Sequence, residues 1–257
     1  MIKLDINMKD QVVLITGASG GIGSIMASQF ADVDAKVILH YNSQQGKAES
    51  LRNKLKRTGH ITLGGDLSNP QDIDKIVERA LSAFGRIDVL VNNAGVYTEH
   101  PIDKIDFTEW QTAWNKSINT NLIGPANLTF KVAKEMIKQG SGKIINISSR
   151  GAFRGEPTAP AYGASKAGLN ATGQSLAIAL APHNIFIYTI APGFVETAMV
   201  RPHLTGERKN EILNQSPIGR VAKPEEIAKT AVFLASEGTD FLTGCIIDVN
   251  GASYLRT

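Results

Sequence analysis

A chain of 257 residues, 42% of them hydrophobic, has ample material for a buried core, and α/β folds reach this length as one unit. Its 27 Lys and Arg face 24 Asp and Glu, for a net charge of +3; the cations are scattered rather than clustered, which argues against a nucleic-acid surface. Cys245 is the only cysteine, so no internal disulfide forms and a reducing cytoplasm is expected, while no apolar run nears the roughly 18 residues of a membrane helix and residues 1–8 lack the form of a signal peptide.

In chain order, the first predicted element is an apolar strand over 11–16. It runs directly into Thr16-Gly17-Ala18-Ser19-Gly20-Gly21-Ile22-Gly23 and a helix over 21–32. A strand, a glycine-rich turn and a helix N-terminus together make an anion site, because backbone N–H groups point outward and the helix dipole favours phosphate. Gly17 permits the tight turn, Gly21 lets a pyrophosphate approach, and Gly23 lets the helix lie close to the sheet. The spacing is Gly-x-x-x-Gly-x-Gly rather than the commoner Gly-x-Gly-x-x-Gly. Strands then follow at 36–41, 60–64, 87–92, 143–148, 185–190 and 245–249, with helices at 44–58, 70–84, 107–138, 161–181 and 224–236. There is no linker, internal repeat or low-complexity segment, so residues 1–257 read as one domain.

This alternation predicts the α/β class: a Rossmann-type, doubly wound parallel sheet of about seven strands with helices on both faces. Ligands on such sheets bind beyond the strand C-termini. The irregular stretch 192–224, with a helical piece near 207–215, is the candidate substrate lid.

Chemistry concentrates at Tyr162-Gly163-Ala164-Ser165-Lys166. Positions i and i+4 share a helix face, so an ammonium can stand beside a phenol. A neighbouring cation lowers the phenol's usual value of about 10, towards the range of general acid–base work. Taken singly this pair is weak, as is the glycine turn. The five histidines, His40, His60, His100, His183 and His203, show no metal-ligand spacing and are read as surface or loop residues, with no metal expected.

Together, Thr16 to Gly23, Asn92-Asn93-Ala94-Gly95, Ser149, Tyr162, Lys166 and Pro192-Gly193 resemble the short-chain dehydrogenase/reductase family in order and spacing, from about residue 9 to 251. The resemblance implies hydride transfer between a nicotinamide cofactor and a carbonyl or alcohol substrate. It assigns catalysis to Asn121, Ser149, Tyr162 and Lys166; Ser149 is preferred over Ser148 by its distance from Tyr162. For the cofactor it implies Gly17, Ser19, Gly20, Gly21, Ile22 and Gly23 at the pyrophosphate, and Asp66 with Leu67 at the adenine. Asn93, Ala94 and Gly95 fall beside the adenine ribose, and Pro192, Gly193, Val195 and Thr197 at the nicotinamide, with Tyr162 and Lys166 on its ribose. A homotetramer is implied as well, and Ala164, Ala167, Gly168, Ala171, Gly173, Ala177 and Ala181 would permit close approach of the catalytic helix to a second copy.

Enzymes of this fold selective for NAD usually place an acid at the end of the second strand. Here residues 36–48 contain no Asp or Glu, and Tyr41, Asn42 and Ser43 occupy the end of the strand. NADP(H) is therefore favoured, with NAD(H) possible because Gly20 stands where many NADP enzymes of the family carry Arg. Pro125 has no N–H for the carbonyl of Asn121, which leaves that oxygen able to hold a water of the family's proton relay. The C-terminal half looks most like 3-oxoacyl-acyl-carrier-protein reductases, but Gly140 and His183 stand where those enzymes place basic residues, and segment 97–118 is longer than theirs. Ketone or 3-oxoacyl reduction is favoured. Alternatives are a sugar, polyol or alcohol dehydrogenase working mainly in oxidation and, in another class, a non-catalytic dinucleotide sensor. Arg150 and Arg154 flank the serine loop and could meet an anionic substrate, but exposed loop arginines are the preferred reading.

Overall fold

Val12, Val13, Leu14 and Ile15 are all buried, as are Val89, Leu90, Val91 and Asn92. Such unbroken runs belong to strands covered on both faces. The computed structural model describes residues 6–198, 200 and 206–256. Its strands are β1 (Val12–Ile15), β2 (Lys36–Tyr41), β3 (Ile61–Gly64), β4 (Val89–Asn92), β5 (Gly142–Ile147), β6 (Ile185–Pro192) and β7 (Ile246–Val249). They form one parallel sheet in the order β3-β2-β1-β4-β5-β6-β7. The winding reverses between β1 and β4, which opens a crevice at their carboxyl ends.

The period of two sorts the core into two halves. Val13 and Ile15 face Met26 and Phe30 of α1 (Gly21–Asp32) and Ile227 and Leu234 of α9 (Pro224–Ala235). Val12 and Leu14 face Ile73 and Ile76 of α3 (Pro70–Phe84) and Leu128 and Val132 of α5 (Gly124–Gln139), alongside Ala177 and Leu180 of α7 (Pro160–Leu180). The remaining helices are α2 (Gln45–Lys54), α4 (Phe107–Ile118), α6 (Gly151–Arg154) and α8 (Gly206–Asn214). The predicted α/β sheet and its element order are the ones observed.

Two differences bear on function. The helix expected over 107–138 is broken by a π turn at Asn119–Ile123, in which the Gly124 N–H donates to the Asn119 carbonyl, one residue beyond an α-helical bond. Pro125 then falls in the first turn of α5, where its missing N–H is tolerated. Gly124 is forced small, since a Cβ there would meet the Leu67 carbonyl oxygen at 2.7 Å.

The second difference concerns the histidines. His40, His60 and His100 are buried and only His183 of the described four is exposed; His203 lies outside the described residues. Burial is tolerated because each ring is bonded on both nitrogens. His40 Nδ1 accepts from the Gly17 N–H at 3.2 Å and Nε2 lies 3.0 Å from the Gly65 carbonyl, tying β2 to the glycine turn. Nδ1 of His60 accepts from the Val37 N–H. His100 Nε2 accepts from the Ala161 N–H at 3.2 Å and Nδ1 lies 2.8 Å from the Thr98 carbonyl, which pins the long segment after β4 to the first turn of α7.

Desolvation holds the His40 imidazole down at about 4 from an ordinary 6.5. Between those values the unfolded chain binds the extra proton and the fold does not, so stability is full above pH 6.5 and falls as pH drops towards 4. Denaturant unfolding across that window should show this decline, and His40→Gln should flatten it. An unchanged slope in the variant would assign the decline to other groups.

Candidate active site

The crevice is built first from backbone. Thr16 Oγ1, at the end of β1, accepts from the N–H groups of Asn93 and Ala94 at 2.9 and 3.0 Å. The Asn93 amide returns bonds to the Thr16 and Gly17 carbonyls at 2.8 and 3.2 Å. These bonds lock β1 to β4 at the point where the strand order reverses. Gly17 takes a left-handed φ of 63°, and a Cβ on Gly23 would lie 2.4 Å from the Gly17 carbonyl oxygen and 2.7 Å from Asn93 Nδ2. Only glycine lets α1 start this close to the turn.

The N-terminus of α1 carries no side-chain cap and no acid in its first turn. By contrast, α3 is capped by Asn69 and α4 by Asp106 with Glu109. First-turn N–H groups of α1 are thus left for an anion arriving from the crevice. A Cβ on Gly21 would press on Thr197 Cγ2 at 2.7 Å, so Thr197, from the far side of the crevice, already closes over the turn. Gly20 and Gly21 are exposed and Ser19 is partly so. These features fit a dinucleotide diphosphate.

At the adenine end, Tyr41 packs its ring over Gly64, where a Cβ would come within 2.8 Å of it, and Asn42 and Ser43 are exposed. Asp66 Oδ1 accepts from the Ser68 N–H at 2.9 Å, so the carboxylate also shapes its own loop. Leu67 is buried beside α5. At the other end, the Gly193 N–H donates to Val249 and the Arg150 N–H to the Pro192 carbonyl. Val195 is buried and bridges to Ala222.

A cavity of about 450 Å³ extends from the first turn of α1 to the end of β5, and Ile22, Asn93, Gly95, Ser149, Tyr162 and Lys166 are on its wall. Ser149 and Ser148 follow β5. Ser148 Oγ donates inward to the Lys166 carbonyl at 3.3 Å, whereas the Ser149 hydroxyl accepts from the Gly151 N–H at 3.0 Å and acts to lower the Tyr162 phenol. Both serines lie on the cavity wall, but of the two it is Ser149 that acts on the Tyr162 phenol.

Lys166 is buried, with Nζ donating to the Ile147 carbonyl at 2.8 Å. Desolvation lowers its ammonium from 10.5 to about 8. Nζ stands 5.8 Å from the centre of the Tyr162 ring. The expected lowering of the phenol by this cation is not what the structure gives. Burial is the largest influence on Tyr162 and pushes it up to about 12, against the smaller, opposing influence of Ser149. Desolvation of a phenolate therefore outweighs a cation that is turned towards the strand.

Asn121 sits in the π turn and is fully buried. Its Oδ1 accepts from the Val96 N–H at 2.8 Å, and Nδ2 donates to the Val96 carbonyl at 3.0 Å and to Ser165 Oγ at 3.1 Å. Ser165 Oγ in turn donates to the Tyr162 carbonyl at 2.7 Å. The side chain thus braces the cavity wall, while a Cβ on Gly95 would stand 3.4 Å from both Asn121 Oδ1 and Lys166 Nζ. All four predicted catalytic residues are brought to one end of the crevice.

Sequence reading missed several supports. Tyr97 packs edge-on against Tyr162 at 5.1 Å, and nothing local marks it. His40 did carry a signal, since it extends the apolar run Val37-Ile38-Leu39 of a central strand. Arg150, expected to be exposed, is only 4% so, because its guanidinium lies 4.6 Å from the Phe194 ring; Arg154 is exposed. Part of the predicted lid lies outside the described residues, but Val200, Glu211, Ile212 and Gln215 from it line the cavity. Among the described residues, no three His, Cys, Asp or Glu side chains gather to hold a metal, and no helix is long and apolar enough to cross a membrane.

Residues 17–252 match the family model described as enoyl-(acyl carrier protein) reductase. The 3-oxoacyl-[acyl-carrier-protein] reductase of Chlamydia trachomatis serovar D is 38% identical over 245 residues, covering 94% of this chain and 96% of the relative. Its counterpart in Escherichia coli strain K12 is 36% identical over 249 residues, with 97% and 99% covered. Among solved structures, gox2181 superposes with a TM-score of 0.90 at 29% identity, covering 97% of both chains. A short-chain dehydrogenase/reductase (glucose/ribitol dehydrogenase) from Brucella melitensis gives 0.89 at 30% identity, covering 98% of this chain and 99% of its own. With a crevice built for a dinucleotide, and a serine, a tyrosine and a lysine meeting at its end, the chain belongs to the short-chain dehydrogenase/reductase family and is an NAD(P)-dependent oxidoreductase acting on CH–OH groups.

Proposed function

We propose that this protein, acting as one domain, reduces the carbonyl of a ketone or 3-oxoacyl substrate with NADP(H). The observation that carries the reading is the meeting of Ser149, Tyr162 and Lys166 on the wall of one cavity. A bound nicotinamide supplies or accepts the hydride. Ser149 holds the substrate oxygen and stabilises the charge that develops there. With burial keeping it protonated at neutral pH, the Tyr162 phenol delivers its proton to that oxygen in reduction and recovers it in oxidation. Lys166 supplies a buried ammonium one helical turn away and a donor for the cofactor ribose. Asn121 braces Val96 and Ser165, and its backbone carbonyl supports proton resupply. The curated 3-oxoacyl reductases favour the reduction reading. Polar side chains on the cavity wall, among them Glu156, Thr158 and Gln215, favour a hydroxylated substrate as the second reading, with the enzyme working mainly in oxidation.

NADP(H) is supported by the acid-free end of β2 and by the exposed Asn42 and Ser43. A cytoplasmic location accords with the single cysteine, Cys245, which is free. Assembly as a homotetramer accords with exposed Ile123 and Phe130 near and on α5 and Ile178 on α7. Of the small residues of α7, Ala164 and Ala171 are exposed. Gly173 and Ala177 serve the subunit itself instead: a Cβ on Gly173 would meet Asn146 Nδ2 at 2.9 Å, and Ala177 is buried.

Tyr162→Phe keeps the ring and removes the proton. Turnover should fall by roughly 10²–10⁴-fold, as for a lost general acid, while NADPH still binds; near-normal turnover would sink the assignment. Tyr41→Asp should turn the kcat/KM preference from NADPH towards NADH, because a carboxylate repels the 2′-phosphate and accepts from the 2′-hydroxyl. The change should lie mainly in KM, since the contact is equal in ground and transition states. A wild-type preference for NADH would overturn the reading of Tyr41, Asn42 and Ser43. Light scattering at micromolar concentration should report four subunits; a monomeric mass contradicts the assembly.

A further inference from the structure

Immediately after the catalytic serine the chain carries two guanidiniums, and among the described residues neither forms an ion pair. Arg150 Nη2 and Arg154 Nη1 donate to the same acceptor, the Gln215 Oε1, at 2.6 and 2.8 Å. Arg150 is 4% exposed, yet its Nη1 is buried with no hydrogen-bond partner. Among the described residues no carboxylate comes within ion-pair distance of either arginine. Glu156 is the acid whose field reaches both, and Glu211 lines the same cavity.

Gathering two like charges on one neutral amide oxygen is unfavourable. Burial and the neighbouring Arg154 both work against the charge on Arg150, and an unpaired buried donor adds its own desolvation penalty. Folded proteins tolerate such an arrangement where a ligand relieves it. Arg150, Arg154 and Gln215 line the cavity that holds Ser149 and Tyr162, so the ligand that relieves it is one that also reaches the catalytic hydroxyls.

Building on the hydride-transfer reading, we infer that the substrate carries its own oxyanion, a carboxylate, and that this group takes the place of Gln215 Oε1 between Arg150 and Arg154 while the carbonyl or alcohol lies at Ser149 and Tyr162. The forked guanidinium matches a carboxylate through paired N–H donors, and the unpartnered Nη1 of Arg150 supplies the extra donor that a single amide oxygen cannot use. On this inference Arg150 and Arg154 determine specificity, selecting anionic oxo or hydroxy acids over neutral ketones.

The test compares oxo acids of increasing length (3-oxobutanoate, 4-oxopentanoate and 5-oxohexanoate) with their methyl esters, in NADPH oxidation and in thermal stabilisation of the protein. Dihydroxyacetone phosphate against dihydroxyacetone separates phosphate from carboxylate. At least one acid should exceed its ester by about tenfold or more in kcat/KM, the scale of a charge-assisted hydrogen bond. Arg154→Gln, at an exposed position, should lower the acid-to-ester ratio mainly through KM. Gln215→Glu places a carboxylate between the two cations, so it should raise the melting temperature and weaken the acids competitively. Esters equal to or better than every acid overturn the inference, as does a preference confined to the phosphate pair, or a Gln215→Glu protein less stable than wild type. If no carbonyl of either kind is reduced, the hydride-transfer reading falls by itself. Acid-specific stabilisation that Arg154→Gln abolishes would still uphold the oxyanion site, and equal or absent shifts with acids and esters would reject it.

Discussion

Everything in this active site hangs on how closely the first helix approaches the first strand. Gly23 lies against the Gly17 carbonyl and the Asn93 amide at distances that a methyl group would violate, and Thr16 and Asn93 exchange bonds across the ends of β1 and β4. That contact fixes the width of the crevice and the direction of the uncapped α1 donors. It also sets the height at which β5 must deliver Ser149. His40, buried in β2, adds a second tether on the same turn.

At the other end of the crevice, burial rather than charge pairing governs the reactive groups. The Tyr162 phenol rises and the Lys166 ammonium falls for one reason, loss of water around the ionised form. A protonated phenol is the form that donates in reduction. The ammonium is held by a strand carbonyl, a neutral acceptor, and so remains able to exchange that partner for a hydroxyl. The π turn serves the same end: it carries Asn121 inward, where one amide satisfies both backbone groups of Val96 and braces Ser165.

Side chains from distant parts of the chain converge on one wall of the cavity. Tyr97 and His100 attach the long segment after β4 to α7, and Arg150 and Arg154 reach across to Gln215 from the serine loop. Aromatic, cationic and amide groups thus converge where the distal end of a substrate would lie.

Periodicity in the sequence was enough for the sheet, because central parallel strands are unbroken apolar runs and their helices alternate with them; α1 begins at its glycines, and α3 begins and ends where Asn69, Pro70 and Gly85 place it. Motif spacing likewise located the glycine turn, Ser149, Tyr162 and Lys166. Neither could report direction in space. Whether Lys166 points at a phenol or a carbonyl, whether Arg150 is solvated or packed on Phe194, and whether Gly173 faces a second subunit or the sheet all depend on contacts between residues far apart in the chain. Local pattern is set by backbone hydrogen bonding and by side-chain alternation within one element, so the sequence determined the elements, their order and the candidate catalytic positions. Burial, and with it the ionisation of Tyr162 and Lys166 and the pairing of Arg150, is a sum over neighbours from many elements, and only the tertiary structure decided it.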